Sequence, residues 1–122
     1  MSYDGVAPGP GARDSILGTG SDRIVPVSKR AVTADYAAIG MGGRLMGWAL
    51  RESTGASFAA LEFYDGASAG GTLLAPINIG TGGFLTFWYG DIGIDVESGI
   101  FVHMVAGSMD VTLYYRFDTG EY

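Results

Sequence analysis

His103 is the single imidazole of the chain and sits between Val102 and Met104 on an apolar run, so any acid–base, nucleophilic or metal chemistry would be expected to use it. No cysteine and no second histidine exist to share a metal with it. A Ser-His-Asp device would need the imidazole in a cleft, whereas this one falls where a core strand belongs. The residues read as a partly buried histidine hydrogen-bonded to a neighbour. Asp91, Asp95 and Glu97 are close in sequence and could offer oxygen ligands to calcium, but the EF-hand order is absent and a solvated acidic face accounts for them. Gly18-Thr-Gly20, Gly40-Met-Gly42 and Gly80-Thr-Gly82 each begin a Gly-x-Gly-x-x-Gly, with Arg23, Leu45 and Leu85 at the sixth place. No helix pattern follows them, so they read as turns and not phosphate cradles. The aromatic set Phe84, Phe87, Trp88, Tyr89, Tyr114 and Tyr115 could floor a sugar-binding groove by stacking. Sandwich core plus a subunit interface is the other reading, because strands aromatic on both faces must bury both. The sum is no enzyme, with no catalytic, cofactor-binding or metal residue.

The elements that carry these residues read as strands. Gly83 to Phe117 alternates β-branched and aromatic runs with Tyr-Gly-Asp, Glu-Ser-Gly and Ala-Gly-Ser breaks, the pattern of an antiparallel meander with tight turns. Upstream, strands are expected over Lys29–Ile39, Leu45–Glu52, Ser57–Tyr64 and Thr72–Ile79. In the third of these, Ala59, Leu61 and Phe63 share the core face. In Thr72–Ile79 the residues Leu73, Ala75, Ile77 and Ile79 align, and Pro76 marks an edge or a bulge because it cannot donate to a ladder. In Leu45–Glu52, Met46, Trp48 and Leu50 are placed on one face and Leu45, Gly47, Ala49 and Arg51 on the other, with Gly47 leaving room for something bulky. Ile92, Ile94 and Val96 give one buried face, Ile100–Val105 reads as a central strand, and Val111, Leu113, Tyr115 and Phe117 form the inner face of the last. About seven or eight such strands close as an all-β antiparallel β-sandwich or jelly-roll-like domain over residues 28–122.

Residues 1–27 keep no period of 2 or 3.6; Pro8, Pro10, Pro26 and five glycines between positions 5 and 20 read as an extended N-terminal arm. The apolar pairs Ile16/Leu17 and Ile24/Val25, with Arg23 beside them, suggest that the arm orders along another subunit. Charge is uneven. Through Arg51 there are six basic residues against four acids, and from Glu52 onward one against nine. So acidic a body repels free nucleic acid, while its mildly basic arm suits an acidic protein surface. No apolar run approaches the ~18–20 residues that span a bilayer, and the N-terminus lacks the shape of a signal peptide. The expectation is manufacture in a cytoplasm with no membrane partner.

Leu45-Met-Gly-Trp-Ala-Leu-Arg-Glu-Ser-Thr-Gly-Ala, Leu61-Glu-Phe-Tyr-Asp-Gly, Gly90-Asp-Ile-Gly-Ile, Ser98-Gly-Ile-Phe-Val and Val111-Thr-Leu-Tyr-Tyr-Arg resemble, in order and spacing, small β-sandwich structural proteins of tailed bacteriophages. The resemblance runs from about Val32 to Phe117. It implies a virion protein, first a capsid decoration (cement) protein, next a minor head or tail component such as a head-fibre or adaptor protein. It also implies a homo-oligomer, with a trimer favoured, and the major capsid protein or another virion subunit as partner. The aromatic residues Phe84, Trp88, Tyr89 and Tyr114 are then the body's contact residues, and Ile16, Leu17, Arg23, Ile24 and Val25 the arm's. No catalytic residue is carried over.

Overall fold

The structure, a computed structural model, describes residues 23–118. All regular elements among them are strands: β1 Val25–Val32, β2 Tyr36–Ile39, β3 Gly43–Glu52, β4 Ala59–Asp65, β5 Thr72–Ile79, β6 Phe84–Trp88, β7 Ile94–Val96, β8 Ile100–Ala106 and β9 Met109–Phe117. They form two antiparallel sheets. One runs β1-β9-β3-β6, with β7 also pairing β3; the other runs β2-β8-β4-β5. The two sheets share one hydrophobic core, a β-sandwich-like arrangement.

Period-2 alternation builds that core. Val111, Leu113 and Tyr115 of β9 and Leu45, Trp48 and Leu50 of β3 are buried together with Leu61 and Phe63 of β4 and Ile100 and Val102 of β8. The Trp48 and Phe63 rings meet at 6.3 Å between their centroids. Each fully buried side chain of this kind contributes about 1.5–3 kcal/mol, so the centre needs no covalent staple. The Tyr115 hydroxyl donates to the Met41 carbonyl at 2.9 Å, giving its buried polar end a partner.

Several expectations shift. The segment read as one strand, Lys29–Ile39, is two strands in different sheets, separated by the exposed residues 33–35. Alanine-rich alternation carries no mark of a crossing between layers. The arm boundary moves too, since Val25, Pro26 and Val27 pair with Tyr115, Tyr114 and Leu113 of β9. In β3 a register shift opposite Tyr114/Tyr115 leaves Met46 as an extra residue, so Leu45 joins Trp48 and Leu50 inside instead of lying opposite them. A second shift, opposite Phe63/Tyr64, makes Leu74 the extra residue and turns Leu73 outward, while Leu74 packs on the core. Ile92 lies in the turn before β7 and is 69% exposed, although Val96 is buried as expected. Pro76 does sit on an edge strand, and β8 is central.

Candidate functional site

Strand β6 gathers four exposed large apolar residues, more than any other described strand. Phe84, Leu85, Phe87 and Trp88 are 67%, 41%, 50% and 50% exposed. The strand pairs with β3 on one side, and no described strand pairs with its other side. Trp48 of β3, its ring inside the core, lies opposite Phe87, so Leu85 and Phe87 face the core side while Phe84, Thr86 and Trp88 face outward. Both sets stay exposed because β6 ends its sheet. Phe87 stacks on Trp48 with centroids 5.7 Å apart and meets Tyr89 edge-on at 4.8 Å.

Trp88 is held by a glycine. A Cβ on Gly47 would fall 2.5 Å from the Phe87 carbonyl oxygen and 2.7 Å from Trp88 Cε3. Only a bare Cα lets the indole lie there, which is the bulky neighbour expected at that position. Its ring meets Tyr114 edge-on at 6.3 Å on the outward face. Farther along this face the aromatic surface gives way to polar pairs. Arg51 binds Asp110 at 2.6 Å, and the Ser28 and Thr112 hydroxyls are 2.8 Å apart. A groove of about 370 Å³ opens here, lined among others by Ser28, Arg30, Ala49, Arg51 and Phe84. The Asp110 carboxyl is held below its ordinary range, first by the Ala31 N–H and then by Arg51.

Glu52 fixes the approach to β6. Its carboxylate accepts from Thr54 N and Oγ1, from Gly55 N and, across 30 positions of sequence, from Gly82 N at 2.9 Å. These donors favour the charged form and bring the group down to about 2. Glu52 N also donates to Gly83 O at 2.9 Å, and at the far end of β6 Tyr89 N donates to Met46 O at 2.8 Å. Both ends of the strand are thereby tied to β3.

The imidazole lies on the outer surface of the other sheet. His103 Nδ1 is 2.9 Å from Asp35 Oδ2, and Asp35 Oδ1 accepts from Met104 N. The His103 contact leads in lowering the Asp35 carboxyl. Opposite His103 in register is Glu62, which accepts from the Tyr64 hydroxyl at 2.7 Å and so raises that phenol. The histidine therefore has its hydrogen-bonded neighbour, but more than a third of its side chain is open to water. The sequence reading overlooks one motif. Gly66-Ala-Ser-Ala-Gly70 has the spacing of a nucleophile elbow, yet it joins two antiparallel strands instead of leading from strand to helix, and Ser68 Oγ accepts from Gly70 N.

Of the residues expected to make contacts, the structure brings Trp88 and Tyr114 together and places Phe84 on the same outward face. It separates Tyr89, which is half-buried and accepts a 3.3 Å hydrogen bond from Trp48 Nε1 at the margin of the core. Arg23 and Ile24 are exposed and Val25 opens β1; Ile16 and Leu17 lie outside the described residues. Of the acidic trio weighed for calcium, Asp95 faces Arg44 at 3.9 Å, and among the described residues no group of three potential ligands could hold a metal. Leu85 was missed as a contact residue because only the aromatic residues of this stretch were weighed as a contact surface. Glu52 was missed although Glu-Ser-Thr-Gly, an acid followed by hydroxyls and a glycine, is a turn signal. No protein-family model, curated protein or solved structure matches the chain.

Proposed function

We propose that this chain is a structural virion protein of a tailed bacteriophage, a capsid decoration (cement) protein that binds and stabilises the head shell. The observation that carries the protein-binding part is the exposed strip Phe84, Leu85, Phe87 and Trp88 on a strand anchored at both ends. Rings held in place on a rigid strand give up little freedom when a partner covers them. The phage assignment rests on the resemblance of the strand sequences. The order β1-β9-β3-β6 against β2-β8-β4-β5 supports reading the sandwich as a jelly roll, an architecture of viral capsid and lectin domains.

In this reading the outward face around Trp88 and Tyr114 meets the major capsid protein, and the arm with Ile16 and Leu17 adds a linked second contact that raises the effective concentration of the first. The test mixes purified chain with undecorated heads and follows co-sedimentation and the averaged density of the particles. Binding that falls at least tenfold in the Trp88→Ser, Tyr114→Ser double variant supports the reading. Heads that never acquire the chain remove the cement role, and binding to isolated tails instead moves the protein to a tail or adaptor position.

A carbohydrate-binding module is a second reading. It draws on the half-exposed Trp88 ring standing against Tyr114 on the grooved face. A glycan array with no signal above that of the Trp88→Ser variant would dispose of it.

A further inference from the structure

We infer that β6 is a self-complementary edge and that its occupant is β6 of a second copy of this chain, paired antiparallel about a two-fold axis at Thr86. The inference rests on the protein-binding reading of the strip but not on the phage assignment.

The four sheet edges are built differently. Natural edges are blunted by proline, charge, bulges or shortness so that they do not pair with other chains. β1 carries Pro26, Lys29, Arg30 and a bulge at Ala31, β5 carries Pro76 and the bulge at Leu74, and β2 has four residues with a register shift of its own. β6, Phe-Leu-Thr-Phe-Trp, has none of these devices, and its pairing with β3 is regular throughout.

Hydrogen-bond parity then fixes which groups are open. The bonds from Tyr89 N to Met46 O and from Glu52 N to Gly83 O make the odd-numbered residues the ones bonded to β3. Antiparallel ladders alternate, so the N–H and C=O groups of Phe84, Thr86 and Trp88 point away from β3. An antiparallel pair centred on Thr86 sets Thr86 against Thr86 of the second copy and Phe84 against Trp88 in both directions. That register matches all three open donors with all three open acceptors. No register displaced along the strand does so.

The side chains fit the same axis. Outward, Phe84 meets Trp88 on either side of a threonine pair; on the core side, Leu85 meets Phe87. Aromatic–aromatic and threonine–threonine cross-strand pairs are favourable, and the Leu85–Phe87 pair adds apolar contact. The strip itself carries no charge, so two chains of net charge −6 meet where repulsion is weakest. The result is one continuous sheet across two copies, an isologous interface. It replaces the three-fold assembly expected from the resemblance, and it would present two outward Trp88/Tyr114 faces to a shell.

Light scattering of the full-length protein over a dilution series should give twice the chain mass of 12.7 kDa. Thr86→Pro should give the single-chain mass with an unchanged circular dichroism spectrum, because the lost N–H points away from β3, where no described strand pairs with it. Thr86→Cys should form a disulfide dimer on oxidation, since Cα atoms of a hydrogen-bonded antiparallel pair stand about 5.5 Å apart. Leu73→Cys, exposed on the opposite sheet, should not. A single-chain or three-chain mass for the wild type overturns the inference, as does a Thr86→Pro protein that keeps the double mass. So does a Thr86→Cys protein that cross-links no better than Leu73→Cys, the result expected if another segment covers this edge. None of these readouts involves a phage particle, so loss of the pairing and loss of the cement role are separate results.

Discussion

Replacing Gly47 by alanine sets two effects of opposite sign against each other. Strand propensity alone favours the change, because glycine inside a strand is worse than alanine by roughly 0.5–1 kcal/mol. The structure opposes it. The new methyl would lie 2.5 Å from the Phe87 carbonyl oxygen and 2.7 Å from Trp88 Cε3, where ordinary contact requires about 3.5–4 Å. Strand β6 must retreat by about 1 Å, and its ladder to β3 is held at the ends by the 2.8 Å and 2.9 Å bonds of Tyr89 and Glu52. Overpacking of this type costs about 1–3 kcal/mol. The clash therefore wins, by about 1–2 kcal/mol, which for a domain of this size lowers Tm by roughly 4–8 °C. Calorimetry gives the shift, and fluorescence gives its origin: Trp48 stays buried while Trp88 lifts away from the sheet and its emission moves to the red. Adding Trp88→Ala should restore only part of the loss, since the carbonyl contact persists. A Gly47→Ala protein that melts above wild type would show that nothing presses on this glycine, and the placement of β6 would be wrong.

Two further outcomes test the parts that hold β6 and its neighbours in place. Glu52, at about 2 against an ordinary 4.5, has a depressed folded-state pKa. Its contribution is thus complete above about pH 4.5 and is lost as pH falls toward 2. Wild-type Tm should drop across that window, whereas Glu52→Gln should melt lower at neutral pH and show a flatter acid limb; equal acid limbs would refute the clamp. Ala31 has φ 51°, a left-handed conformation that disfavours any side chain, at the bulge where its N–H donates to Asp110 at 2.8 Å. Ala31→Gly should raise stability by roughly 1 kcal/mol in denaturant melts, and a loss would mean that the bulge is not formed.

What the sequence makes legible is local. Val111/Leu113/Tyr115 and Ala59/Leu61/Phe63 declare their inner faces because side chains alternate with a period of 2 and water sorts them. Met46, Leu74 and Ala31 defeat that reading, since one extra residue reverses the facing of its neighbours along the strand and nothing in the residue types announces it. Strand order is equally silent, being a matter of pairing between distant segments. That is why aromatics on both faces of β6 predicted burial on both faces: alternation reports what side chains prefer, not which strand ends a sheet.

The exposed edge then poses a physical question of its own. A strand open on both faces gains little from burial, so packing alone cannot be what fixes it. The structure holds it by other means: Glu52 on Gly82 and Gly83 at its start, Tyr89 on Met46 at its finish, and the Trp88 ring on Gly47 between them. All three act whether or not a partner is bound. The ordering cost of the strip is met within the fold, and a partner that covers it gains nearly the full value of the buried rings. An edge left open by accident would have no reason to be fastened at both ends.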